Sequence, residues 1–311
     1  MRGWLARGGR AASVAASAPE LWIAGALSEL VSVGWLPLLA AVPLPSPSDA
    51  AFLVASIAGR REFPLLIGAL ISSAIGAVLL GNLARALCDA VVFGGVAALP
   101  PEREATQRRT GIIWVAELIA LAPTAAALLV LGYLAVTVAP AEWQSPDIGG
   151  RTVVARVVAA LAPGLALLAL ALLVGDGLRS AAIRQVIAGA LGPRAALRGA
   201  VMDLAAGRWS AIGLAIAALL LRAAYLGFAY ALLRALWQPL GRQAASGALL
   251  SLPGAPLLLG FVFVWLCLTL GSGGLRTWLA GWWTAVLADG RLRRGRREVR
   301  RPAWTRRPSS N

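Results

Sequence analysis

Three ionisable side chains lie inside long apolar stretches of this chain: Glu29, Glu117 and Arg222. A charge near the centre of a bilayer is costly unless it is paired or hydrated, so such residues should face the interior of a helix bundle. Their types allow two kinds of chemistry. They could line a polar path for a proton, an ion or an anionic head group, with Arg222 as the anion contact and one glutamate as the proton carrier. They could equally form an interhelical ion pair that locks helices together, and Glu117 also lies within reach of water beside Arg108 and Arg109.

Other chemistries are narrowed by what the chain lacks. It has no histidine and no lysine, so all 29 of its basic residues are arginine. Ser-His and Cys-His nucleophile pairs are therefore excluded, as is a P-loop, and any coupling to ATP requires a second chain. Cys88 and Cys267 form no C-x-x-C and lie beside or within apolar segments, where they read as small buried hydrophobes. Asp89, Asp176 and Asp203 fall near the ends of such segments, but each has an arginine within a few residues and their spacing is not that of a metal site. No enzyme activity, metal or cofactor is expected.

The elements that position these residues follow from composition. Apolar residues make up 59% of the 311, charged residues 14%, and the mean hydropathy is +0.75. Lipid is the solvent such a chain requires. A spanning helix needs about 20 mostly apolar residues. Six stretches qualify: 21–42, 64–83, 111–138, 153–175, 209–233 and 255–270. The backbone of each must satisfy its own hydrogen bonds, so the expected fold is all-α, a polytopic bundle of six transmembrane helices. The run 50–58 is too short to cross and reads as an interfacial helix capped by Ser48 or Asp49 and followed by Arg60, Arg61 and Glu62. The expected organisation is a cytoplasmic arm over 1–20, a membrane domain over 21–289 and a disordered polybasic tail over 290–311.

Arginine placement sets orientation. Twenty-two arginines fall on the side that holds both termini, six on the other, and Arg222 within the fifth span. By the positive-inside rule both termini are cytoplasmic. The tail packs nine arginines after Asp289 and reads as an anchor on anionic lipid. Its aromatic content is limited to Trp304, so no stacking platform for nucleic acid is expected.

An internal repeat marks the ends of the even spans: Gly81-Asn82-Leu83-Ala84-Arg85, Gly175-Asp176-Gly177-Leu178-Arg179 and Ser272-Gly273-Gly274-Leu275-Arg276. The arginines at 85, 179 and 276 imply three copies of one helical hairpin. The apolar character continues past each arginine, well beyond the thickness of a membrane. A glycine-weakened turn there would let the helix bend and lay its second half on the cytoplasmic surface, with Arg85, Arg179 and Arg276 on anionic head groups and Trp278, Trp282 and Trp283 at the interface. A straight helix projecting into the cytoplasm is the alternative. Gly68, Ser72 and Gly76 form a small-residue face suited to close helix packing, and Pro37, Pro123 and Pro163 interrupt three spans.

The segment 182–214, AIRQVIAGALGPRAALRGAVMDLAAGRWSAIGL, leads through a Gly-Pro turn and a basic amphipathic helix into the fifth span. Here the chain resembles the six-helix membrane region found beside bacterial glycerophosphodiester phosphodiesterases and related bacterial six-helix proteins. The resemblance implies a multi-helix module of the bacterial inner membrane, without the phosphodiesterase domain itself. The expected role is a non-enzymatic module associated with the bilayer, its anionic lipids or a partner protein. The alternative is a transporter, or the membrane subunit of one served by a separate ATPase.

Overall fold

A computed structural model describes residues 2–41, 63–97, 103–138, 153–189, 192–245 and 254–299, and every element among them is helical. In order they are α1 (Arg2–Ser17), α2 (Glu20–Glu29), α3 (Phe63–Val96), α4 (Arg103–Thr137), α5 (Val153–Ile187), α6 (Pro193–Ala206), α7 (Arg208–Ala245) and α8 (Gly254–Val299). Five of these contain stretches long and apolar enough to cross a membrane: α3, α4, α5, α7 and α8. Leu65, Leu129 and Val136 are each at least 75% exposed, a surface that water would not tolerate and acyl chains would. The chain is an all-α, multi-pass membrane protein.

The first expected span differs from a single helix. The α-helix ends at Glu29, a π turn covers Leu30–Gly34, and a 3-10 segment runs over Leu36–Ala41. Pro37 brings no backbone N–H to this stretch, and the Ser32 hydroxyl donates to the carbonyls of Ser28 and Glu29, so regular pairing fails here. On the other side of α2, α1 and α2 meet at a bend of 105° around Pro19. Among the described residues five helices are long and apolar enough to cross, and a sixth crossing requires the bent pair to act as one span. The expected interfacial helix over 50–58, with its flanking Ser48, Asp49, Arg60, Arg61 and Glu62, lies outside the described residues.

The even helices do not break at the repeat. Phe63–Val96, Val153–Ile187 and Gly254–Val299 run as unbroken α-helix through Arg85, Arg179 and Arg276. Pro123 and Pro163 likewise sit inside continuous helices. The repeat glycines serve close approach. A Cβ on Gly175 would lie 3.1 Å from the Ala120 carbonyl oxygen, and one on Gly81 would lie 3.2 Å from Val31. One on Gly273 would fall on the Trp22 carbonyl and within 2.6 Å of the Ala26 nitrogen. The helix of α8 also extends to Val299, into the tail expected to be disordered. Arginine is a good helix former, and adding residues to an existing helix avoids the cost of nucleation.

Contacts divide the chain into two compact units, one of residues 1–11, 111–219 and 280–311, the other of residues 12–110 and 220–279. In the first unit α5 and α6 form a helical hairpin. It turns at Gly189, whose φ of 102° favours glycine, and restarts with Pro193 in the first turn of α6. Gln185 Nε2 donates to Asp203 Oδ2 at 2.6 Å, fastening α6 to α5. In the second unit α2 packs on α3. There Leu233, Leu240 and Phe261 form a core in which Trp237 meets Phe261 edge to face, with ring centroids 5.4 Å apart.

Candidate functional site

The second unit gathers its intramembrane charges into one cluster. Asp89, on α3, is fully buried and accepts from Arg276 Nη2 at 2.6 Å and Arg276 Nε at 3.2 Å, the two-point geometry that suits a guanidinium and a carboxylate. Ser28 of α2 donates to the same carboxylate at 2.9 Å. Beside it Glu29 Oε1 lies 3.7 Å from Arg222 Nη2 and 4.0 Å from Arg276 Nε. The Arg276 guanidinium also sits 5.8 Å from the centroid of the Phe93 ring, within cation-π range. Four helices thus contribute to the cluster: α2, α3, α7 and α8.

Backbone contact explains how α2 and α8 come so close. Gly25 and Gly273 face one another, and a Cβ on Gly25 would lie 2.6 Å from the Gly273 carbonyl oxygen. Thr277 Oγ1 donates to the Gly273 carbonyl at 2.9 Å and reaches the Leu21 carbonyl at 3.3 Å. Removing two side chains from the seam lets the Glu29 carboxylate reach arginines on neighbouring helices.

The first unit holds a second pairing. Arg179 Nε, on α5, lies 3.1 Å from Glu117 Oε1, on α4, with Asp176 one turn earlier at 4.0 Å. Glu117 is 1% exposed. It pairs with Arg179 on α5, where the sequence suggested access to water beside Arg108 and Arg109.

These positions revise the expected lipid contacts. Arg179 and Arg276 are 5% and 2% exposed and bound to carboxylates, so neither lies open to a head group. Burying a cation in an apolar bundle demands a counter-charge, and both arginines have one. Arg85 differs: it is half-buried and makes no ion pair among the described residues. Trp282 and Trp283 are also buried instead of lining an interface, with Trp282 against Gly8 and Trp283 beside Gly177. Conversely, Gly68 and Ser72 are exposed, and an added Cβ on Gly68 or Gly76 would meet nothing within 4 Å among the described residues. Cys267 is exposed and Cys88 half-buried, so neither is the fully buried hydrophobe expected.

No protein-family model, curated protein or solved structure matches this chain. Among the described residues no group of three metal-ligating side chains occurs, and the aspartates considered for a metal have other partners: Asp89 has Arg276 and Ser28, Asp176 has Arg179, and Asp203 has Gln185. Asp89 is the residue that sequence reasoning underused. Its place four residues beyond Arg85, in a stretch that stays apolar past the arginine, is the sequence signal that it could serve as a counter-ion.

Proposed function

We propose that this chain is a non-enzymatic module of a bacterial inner membrane, with both termini cytoplasmic, that retains anionic lipid and supports the bilayer or a partner protein around it. The observation that carries this reading is the mutual pairing of the intramembrane charges. Glu29 with Arg222, Asp89 with Arg276 and Glu117 with Arg179 form contacts that suit an architectural lock better than a relay of groups open to water. Lipid association is supported by Arg85, a half-buried cation on α3 with no carboxylate facing it among the described residues. The test is native mass spectrometry of the intact protein after gentle extraction. Retained anionic lipid that diminishes in Arg85→Gln, with folding unchanged, supports the reading. A chain that releases phosphatidylglycerol and phosphatidylcholine equally opposes it.

A second reading, the membrane subunit of a transporter with a separate ATPase, is favoured by one feature. The π turn over Leu30–Gly34 begins immediately after Glu29, and irregular backbone beside a buried carboxylate is a device for binding substrates or ions within a membrane. Glu29→Gln separates the two readings. A transport path predicts a normal folded yield with activity lost, whereas a structural pair predicts that the folded yield falls. A stoichiometric ATPase in the extracted complex would also favour transport.

A further inference from the structure

The first unit contains an apolar groove of about 370 Å³ between α5, α6, the start of α7 and the later part of α8. Its walls include Leu173, Val174, Leu204, Ile212, Ala215 and Trp283, with almost no polar atom among them. Its volume is more than twice that of the roughly 150 Å³ apolar cavity that accepts benzene. The Trp283 ring is buried at the base, while Val174, Val201 and Ile212 are 50%, 56% and 45% exposed and form an open lip. A molecule enters from the side, and in a membrane-spanning protein the surrounding medium supplies acyl chains.

The charge beside the lip identifies which lipid. On α6, Arg194, Arg198, Val201 and Ala205 recur at helical spacing and share one exposed stripe. The opposite stripe, with Ala196, Ala200 and Asp203, is buried, and Asp203 is held by Gln185. The α6 helix is therefore fixed in rotation, with two exposed guanidinium groups in line with the groove's apolar edge. An apolar slot with cations at one end is complementary to an amphiphile whose head is an anion.

We propose that this groove holds an acyl chain of one anionic phospholipid whose head group lies on Arg194 and Arg198. The inference rests on the lipid-retaining reading above and adds to Arg85 a second site, in the first unit. Neutral phospholipid offers the same chain without the net charge, so the arginines set the preference while the groove sets the retention.

The test uses the full-length protein in nanodiscs with phosphatidylglycerol carrying a photoreactive group in its acyl chain, and phosphatidylcholine carrying the same chain as the comparison. Phosphatidylglycerol should label peptides within 173–178 and 201–215. Ala205→Trp and Ile212→Trp, both at exposed lip positions, should each remove most of that label without loss of fold. Arg194→Gln and Arg198→Gln should each lower phosphatidylglycerol labelling by about fivefold and leave phosphatidylcholine unchanged, the ratio expected for one arginine at an anionic surface. Label that persists in both tryptophan variants, or equal labelling by the two lipids, overturns the assignment. If native mass spectrometry finds anionic lipid retained but the label lies elsewhere, the groove alone fails. If no anionic lipid is retained, the lipid-retaining function fails with it.

Discussion

Asp89 is fully buried and bound by Ser28 and Arg276, so neutralising either charge leaves the other with part of its desolvation uncompensated. Asp89→Asn and Arg276→Gln should each destabilise the protein by about 3–5 kcal/mol, read as loss of thermal stability in detergent. Asp89→Leu combined with Arg276→Leu should be less damaging than the two single changes summed, because the apolar pair removes both buried charges together. Strict additivity would show that the two residues do not act as a pair. Glu29, Glu117 and Arg222 were legible as intramembrane charges because each interrupts an apolar stretch. Their partners were not, since pairing across helices depends on rotation and depth that one sequence does not encode locally. The same limit explains Arg179 and Arg276. From sequence they look like ordinary interfacial arginines, and only the approach of a carboxylate on another helix makes them internal.

At the scale of elements, the helices were readable and their ends were not. Apolar runs located the five long helices among the described residues, though not the break in the first expected span, and α3, α5 and α8 continue through the arginines that were expected to bend them. A glycine followed by an arginine has two physical uses, a weak turn or a close contact, and the choice depends on a neighbour distant in sequence. Two substitutions separate these uses. Gly273→Ala should be severely destabilising because its new methyl would strike the backbone of α2 at Trp22 and Ala26. Gly76→Ala should be tolerated and even stabilising by about 0.5–1 kcal/mol, since the added methyl meets nothing within 4 Å among the described residues and lowers the entropy cost of forming the helix. Folded yield and melting temperature of the two variants in the same detergent give the comparison. The small-residue stripe at Gly68, Ser72 and Gly76 fits the packing motif by spacing, but spacing does not say whether a partner helix exists on that side.

For the whole molecule, composition alone established a membrane protein, because no soluble core could absorb so many apolar residues. The bent first segment was less visible: Pro19 and Pro37 flank it, but proline occurs in ordinary membrane helices as well. Arginine asymmetry predicts that a reporter active only in the cytoplasm will function when fused after Asn311 and fail when inserted near Arg151. The reverse pattern would invert the topology. Pairings that close over long stretches of chain also impose an order on synthesis. Asp89 and Arg276 are 187 residues apart, so at translation rates of about 5–20 residues per second the arginine follows the aspartate by roughly 10–40 s. For that interval the nascent chain must keep Asp89 hydrated or shielded by an insertion factor. A chain stalled before its last helix would expose a defect that membrane quality control can recognise, making the arrival of α8 the event that commits the protein to survival.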